Sequence, residues 1–293
     1  MSSDPYDYAL SEPDKPAKAI DSGLYIVATP IGNLADMSQR AIEMLRAADL
    51  IAVEDSRVTG KLLHHLGLKK RMRPYHDHSS EADREALLAV AREGVVVLVS
   101  DAGTPLISDP GYKLVRAARE AGIAVSTAPG TSAVIAALSI SGLPTDRFLF
   151  TGFLPSKAKA RSDAIAEIGN VKSTLVFYES GQRLGATLAA LAEQLGGREA
   201  VVARELTKKF EEVVSGTLPE LAERYAEVEP KGEIVLIVGP PGEVQAEQGD
   251  YEAALKDALQ TLPPAKAAKD IAKRFGVDRA EVYERAMAFK SDA

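Results

Sequence analysis

The chain has 293 residues, no cysteine, and a formal net charge of −7 from 35 Lys and Arg against 42 Asp and Glu. Without cysteine there are no disulfides or thiolate metal sites, which fits a cytoplasmic protein, and no apolar run approaches the ~20 residues of a membrane span. The acidic balance argues against a protein that coats a polyanion over its whole surface, and the length predicts two compact domains with smaller additions.

Residues 1–21 are polar and proline-containing, lack the apolar stretch of a signal peptide, and are expected to be a disordered tail. The run LYIVA (24–28) predicts a first strand, followed by the turn TPIGN and a helix through MSQRAIEMLRAAD. LIAVE (50–54), a helix through TGKLLHHLG, a long helix from Ser79–Ser80 to about Glu93 and the fully apolar strand GVVVLV (94–99) come next. Such an uninterrupted run marks a parallel strand buried on both faces. A helix over 111–122, a strand IAVST and a helix SAVIAALSISG complete an alternation that predicts a mostly parallel α/β sheet over 22–146.

LPTDRFLFTGFLP (143–155) breaks this rhythm, and the domain boundary is expected there. A second α/β domain over 147–240 has a helix near 158–169, STLVFYE (173–179), a helix over 182–196, EAVVARE (199–205), EEVVSGT (211–217), a helix near 218–227 and GEIVLIVG (232–239). The short connection between 199–205 and 211–217 predicts an antiparallel hairpin, hence a mixed sheet. Residues 241–250 form an expected linker and 251–293 a small helical segment with helix-turn-helix spacing. In it Ala268, Ile271, Ala272, Val277, Val282 and Tyr283 are the apolar positions, Gly276-Val277-Asp278 is the turn, and Asp278 is placed to cap the second helix. Docking on the body and contact with nucleic acid are both open for this segment.

Neither G-x-G-x-x-G nor G-x-x-x-x-G-K-[ST] occurs, which points to a ligand without a phosphate or one whose phosphate is held elsewhere. Four loops fall beyond expected strand ends, where doubly wound sheets bind ligands: TPIGN, EDSR (54–57), SDAGTP (100–105) and APGTS (128–132). Gly103 allows close backbone approach, and Thr131 and Ser132 sit at a helix start suited to a carboxylate. A cationic ligand with one carboxylate, such as S-adenosylmethionine, fits these loops; an amino acid or nucleoside also fits. Of the two Ser-Asp pairs, Asp109 precedes Pro110 and is expected to cap a helix, whereas Asp101 ends the most apolar strand and is expected to touch the ligand.

The stretches LYIVATPIGNLADMSQRAIEMLRAADLIAVEDSR, LVSDAGTPLISDPGYKLV, APGTSAVIAALSISGLPTDRFLFTGFLP, LVFYES..R and VVARELTK...EE stand in this order. Together they closely resemble the tetrapyrrole-methylase-type (class III) methyltransferases over about residues 22–240. Within that family they are most similar to the bacterial branch that 2′-O-methylates a cytidine ribose in the decoding region of small-subunit (16S) rRNA, and the tail is similar to that branch's C-terminal extension. Ser56, where the family usually has Thr, and Thr131, where a Pro or another small residue is common, are mild departures.

The resemblance implies two α/β domains with S-adenosylmethionine in the cleft between them, usually a homodimer, and small-subunit rRNA as the partner. By position it makes Asp101, Thr104, Ser132, Ala133, the Pro30–Ile31 loop and Phe177–Tyr178 cofactor contacts, beside Gly103 and Thr131 from the loops themselves; a carboxylate beside an ammonium or ribose makes physical sense. A tetrapyrrole or other small-molecule methyltransferase of this fold, and a non-catalytic RNA- or ribosome-binding module, are the alternatives. The basic stretch and the tail speak against a tetrapyrrole substrate.

Methylation of a hydroxyl needs aligned reactants and is helped by a base. Glu54 and Asp55 are candidates, with Arg57 on the acceptor side; His76, His78 and Glu205 are others. Each has a plainer alternative: Glu54 or Asp55 pairing with Arg57, the histidines capping the helix near Ser79, and Glu205 pairing with Arg204 or Lys208. His-x-His lacks clear further ligands, so no metal site is expected. The stretch 57–73 carries six Lys and Arg and no acid, while acids concentrate in 205–229. Lys69, Lys70, Arg71 and Arg73 with Lys157, Lys159 and Arg161 are therefore expected to face RNA, assisted by Lys266, Lys269, Lys273 and Arg274.

Overall fold

A computed structural model describes residues 20–242, 248–275 and 277–291. The expected tail, except for its last two residues, the middle of the expected linker and Gly276 of the turn thus lie outside the described residues, as do the side chains of Lys273 and Arg274.

Gly23–Val27 (β1), Leu50–Val53 (β2), Met72–Pro74 (β3), Val95–Val99 (β4) and Val125–Ala128 (β5) form a parallel sheet in the order β3-β2-β4-β1-β5. The edge strand β3 lies in the basic stretch, where its three residues are too few to show a strand pattern. Helices Gln39–Ala47 (α1), Ser56–His65 (α2), Glu81–Glu93 (α3) and Tyr112–Glu120 (α4) connect the strands. Alternation along β4 explains its uninterrupted apolar sequence: Val95, Val97 and Val99 pack with Met44, Leu45 and Leu63, while Val96 and Leu98 pack with Leu87, Leu88 and Leu114 on the opposite face.

Helix starts explain two departures from expectation. Ser80, not a histidine, caps α3, in a reciprocal capping box with Asp83. His76 donates its backbone N–H to Ser79 Oγ at 2.7 Å. Helix α4 starts at Gly111 with no side-chain cap, so Asp109 is not its N-cap. Gly111 has φ 136°, and a Cβ there would lie 2.7 Å from Leu98. The loop before it turns through left-handed Leu106 (φ 74°) and Ser108 (φ 64°).

Phe148–Phe153 (β6), Thr174–Ser180 (β7), Glu199–Arg204 (β8), Glu212–Thr217 (β9) and Glu233–Val238 (β10) form a second sheet ordered β6-β7-β10-β8-β9. It is mixed as expected: β8 and β9 form the antiparallel hairpin, and β6 pairs parallel with β7. The interrupting stretch 143–155 therefore holds a strand, whose pattern is broken by a bulge at Gly152 (φ 69°). Helices Ala158–Ile168 (α6), Gly181–Leu195 (α7) and Leu218–Arg224 (α8) bury Ile165, Leu184, Leu188 and Leu221 against Leu175, Phe177, Val202 and Leu236.

The other face of this second sheet is covered by Ala133–Ser141 (α5), a helix that follows β5 of the first sheet. Val134, Ala137 and Leu138 pack on Val176, Val201, Val235 and Ile237. An apolar helix thus joins the halves, and its N-terminus is held at their junction.

Gln248–Thr261 (α9), Pro264–Phe275 (α10) and Arg279–Ser291 (α11) share a core of Tyr251, Leu255, Ala267, Ala268, Ile271, Val282 and Ala286. Helix α9 begins inside the expected 241–250 linker. Asp278 accepts the N–H groups of Ala280 and Glu281 at 2.8 and 3.1 Å, a helix cap as expected. Tyr283, expected in the apolar set, is exposed. Among the described residues no helix is long and apolar enough to cross a membrane.

Candidate active site

The carboxyl ends of β2 and β4 and the loop after β1 face the second sheet across a cleft of about 420 Å³, within the roughly 300–1,000 Å³ of small-ligand sites. The first half contributes Ile31, Glu54, Asp101, Gly103, Thr104 and Asp109, and the start of α5 contributes Ser132 and Ala133. Phe153, Tyr178, Glu179, Glu205, Lys208 and Glu233 close the other side.

Backbone pairing sets the first wall. Thr29 and Gly103 exchange N–H···O bonds of 2.8 and 2.9 Å, joining the loops after β1 and β4. Gly103 has φ 78°, which lets this loop double back beside Ile31. Thr104 donates its hydroxyl to the Thr131 carbonyl at 2.9 Å, and Thr131 donates its own to the Thr29 carbonyl. The Asp101 N–H donates to Glu54 Oε2 at 3.3 Å. Ser132 begins α5 at the cleft without a side-chain cap, and the backbone of Val134 in the first turn hydrogen-bonds with Tyr178.

The second wall is aromatic and acidic. Tyr178 lies against Phe150 and Phe153, with ring centroids 4.9 and 5.6 Å apart. Glu179, 2% exposed, accepts the Thr187 hydroxyl at 2.6 Å and the Ser180 N–H at 2.8 Å, and pairs with Arg183 at 3.3 Å. Arg183 also donates to the Leu154 carbonyl, tying the exit of β6 to the end of β7. Glu205 pairs with Lys208 at 2.9 Å, while Arg204 pairs with Glu212. Carboxylates dominate this cleft, and Lys208 is the one lysine or arginine among the described residues lining it.

Electrostatics separate the carboxyl groups. Burial, reinforced by Glu54, Asp101 and Glu233, pushes Asp109 up to about 6, offset in part by a hydrogen bond with the Ser100 side chain. Burial, with Asp109 and Glu233 nearby, likewise raises Tyr178 to about 12. Asp55 goes the other way, to about 2, because the Arg57 side chain and backbone N–H both bond its carboxylate.

Ile31, Glu54, Asp101, Gly103, Thr104, Ser132, Ala133 and Tyr178 are all brought to the cleft. Phe177 is fully buried in the opposite core, because neighbouring residues on β7 point to opposite faces. Thr131 braces the wall through its backbone and hydroxyl, and Pro30 flanks the lining residue Ile31. Asp55 and Arg57 do not line the cleft. Asp55 caps α2 and holds Arg57 at 2.5 Å, and the Arg57 side chain is 87% exposed. Sequence reasoning assigns Asp109 to a helix cap and marks neither Glu179 nor Glu233. An acid closing the apolar run 173–178 was a signal for Glu179; Glu233 faces Ser180 only through an antiparallel register that the sequence does not display.

Of the expected RNA-facing cations, Lys69 and Arg71 are exposed beside β3. Lys70 donates to the Ala48 carbonyl at 2.9 Å and Arg73 pairs with Asp83 at 2.8 Å. On the second half, Lys157 is exposed, Lys159 pairs with Asp163, and the half-buried Arg161 lies 3.4 Å from the Ser156 carbonyl. Lys266 and Lys269 are exposed on α10. Among the described residues no group of three or more His, Cys, Asp or Glu is arranged to hold a metal.

Two sheets are joined by a connecting helix beside an acidic and aromatic cleft, and the chain belongs to a class of methyltransferases, the Tetrapyrrole (Corrin/Porphyrin) Methylases, whose model matches residues 23–222. Residues 245–290 match the RsmI C-terminal HTH domain. The chain is 53% identical to the Ribosomal RNA small subunit methyltransferase I of Erythrobacter litoralis (strain HTCC2594) over 95% of its own length and 99% of that protein. It is 48% identical to the protein of the same description from Escherichia coli O157:H7, over 90% and 94% of the two chains. Solved structures share the fold: a diphthine synthase has a TM-score of 0.58 at 16% identity, covering 74% of this chain and 89% of that one. A uroporphyrin-III C-methyltransferase from Thermus thermophilus complexed with S-adenyl homocysteine has a TM-score of 0.51 at 23% identity, covering 74% and 97%.

Proposed function

We propose that this chain methylates small-subunit ribosomal RNA, using S-adenosylmethionine, at the 2′-hydroxyl of a cytidine ribose. The observation that carries the reading is the likeness, over nearly the full length of both chains, to ribosomal RNA small subunit methyltransferases. The cleft suits the methyl donor on chemical grounds. The uncapped N–H groups at Ser132–Ala133 suit a carboxylate, Asp101 and its acidic neighbours suit an ammonium and a sulfonium, and Ile31, Leu206 and the Phe153–Tyr178 pair suit an adenine.

When bound, S-adenosylmethionine supplies an activated methyl group. The chain's part is to bind, align and shield: Asp101 and Thr104 fix the donor side, while the loop carrying Glu205 and Lys208 narrows the cleft opposite them. Lys69 and Arg71 beside β3, Lys157 on the second half and the lysines of α10 supply phosphate contacts. The two sheets, divided near residue 146, are the two domains. Ile135 and Ile140 of α5, 54% and 48% exposed, favour burial in a homodimer, which light scattering checks. A ribosomal RNA substrate supports a cytoplasmic location.

The test is to incubate the protein with radiolabelled S-adenosylmethionine and small subunits from a strain lacking the corresponding gene, then map alkali-resistant ribose positions. Label in one cytidine ribose supports the reading. Label in a base, or none in rRNA, overturns it.

A further inference from the structure

We propose that Asp109 is the catalytic residue that takes the proton from the acceptor hydroxyl. The inference rests on the methyl-transfer reading above and deepens it.

Three observations single out this carboxyl. Asp109 lines the cleft, and it performs none of the structural work that its sequence position predicts, since Gly111 starts α4 without its help. The segment that delivers it is held in an unfavourable backbone: Leu106 (φ 74°) and Ser108 (φ 64°) adopt left-handed conformations that non-glycine residues rarely take. This loop is buttressed from the second half by the bulge at Gly152, where a Cβ would come 2.9 Å from Ser108 Oγ.

The other acids around the cleft are engaged or, for Glu233, exposed. Asp101 accepts the Asp55 N–H and Glu54 accepts the Asp101 N–H. Glu179 is saturated by Thr187, Ser180 and Arg183, and Glu205 is held by Lys208. Asp55 is bound to Arg57 outside the cleft, and Glu233 is exposed at its rim. Asp109 is half-buried, with the Ser100 side chain as its hydrogen-bonding partner and with Glu54, Asp101, Glu233 and the Tyr178 hydroxyl as the titratable groups that face it. This environment holds the carboxyl near 6, where it is ionised at neutral pH yet more basic than an ordinary aspartate.

The step balances. The O–H bond of the ribose hydroxyl breaks and its proton passes to an Asp109 oxygen. The hydroxyl oxygen forms the new O–C bond, and the C–S bond breaks with its electron pair left on sulfur, so the cation becomes a neutral thioether as the carboxylate becomes a carboxylic acid.

Single-turnover methylation of small subunits by wild type, Asp109→Asn and Asp109→Glu, across pH 5 to 9, tests this. The wild-type rate is expected to fall below about pH 6. Asp109→Asn is expected to lose about 100-fold or more in rate and the acid limb with it, while calorimetric affinity for S-adenosylhomocysteine stays within about 3-fold. Asp109→Glu is expected to restore part of the rate. An Asn variant that keeps its rate, or loses S-adenosylhomocysteine affinity in proportion to rate, overturns the assignment. A readout independent of turnover and of any variant is the carbon-13 carboxyl shift of Asp109 in the ligand-free wild type: a midpoint near 4 also overturns it. If the wild type transfers no methyl to rRNA, the functional reading fails as well, and that outcome is distinct from a competent wild type with an unaffected Asn variant.

Discussion

The backbone N–H of Asp55 donates to Asp101 Oδ1 at 3.0 Å, so the second residue beyond β2 holds the second residue beyond β4. Asp101 therefore has two duties, bracing a strand end and presenting negative charge to the cleft. Asp101→Asn preserves an acceptor for the brace and removes the charge. It is expected to weaken S-adenosylmethionine binding about 10-fold, near 1.4 kcal/mol, with little change in melting temperature. Asp101→Ala is expected to lower both. Calorimetry and thermal melting separate the two duties.

Asp109 links the cleft to stability. Its carboxyl is raised from an ordinary 3.8 to about 6 in the folded chain. Ionisation thus disfavours the native state above pH 6, and the penalty disappears as pH falls below about 4, where both states are protonated. Asp109→Asn is expected to stabilise the protein at pH 8 by about 1–2 kcal/mol after allowing for solvent reaching a half-buried carboxyl. That gain is expected to shrink to nothing by pH 4, which urea unfolding at the two pH values measures.

Arg183 answers for the buried charge of Glu179. Arg183→Met leaves a carboxylate that is almost wholly enclosed with only Thr187 and Ser180 as partners. Truncating one member of such a pair costs about 3–5 kcal/mol when both are buried, and about 2–3 is expected here because Arg183 is 31% exposed. The doubly substituted Glu179→Gln, Arg183→Met chain is expected to recover part of this loss, a coupling that a double-mutant cycle reads directly.

The basic stretch divides into engaged and free cations. Replacing Lys69 and Arg71 by alanine is expected to weaken rRNA binding and flatten its logarithmic salt slope by about 1.4–1.8. Replacing Lys70 and Arg73, which hold Ala48 and Asp83, is expected to move the slope less and stability more. Binding titrations at several salt concentrations distinguish the pairs.

Much of this architecture is legible in the sequence where a periodic pattern is long enough to see. The five-residue β4 announces a strand buried on both faces, and the short β8–β9 connection announces the hairpin. Three-residue β3 and bulged β6 are not legible, because neither presents a clean alternation. Within the cleft, Asp101 and Ser132 are visible as strand-end and helix-start residues. Phe177 belongs to the core and not to the cleft, because strand alternation sends it and Tyr178 to opposite faces, which a motif of adjacent residues does not display. Asp109 was misplaced for a different reason: Asp-Pro before a helix is a strong local cap signal, and only the left-handed turn at Leu106 and Ser108 overrides it.

Among the described residues, the non-glycine positions with positive φ are Leu106, Ser108, Glu205 and Thr207, which fall on the two loops that meet at the cleft. Heat-driven laboratory evolution would find its easiest gains there, since glycine at Ser108 or asparagine at Thr207 relieves a conformational penalty without touching either core. Those same replacements loosen the carriers of Asp109 and Lys208. Thermotolerance bought at these positions is therefore expected to erode turnover, and variants selected for activity and for heat resistance together should find their stabilising changes in the cores and the C-terminal helices instead.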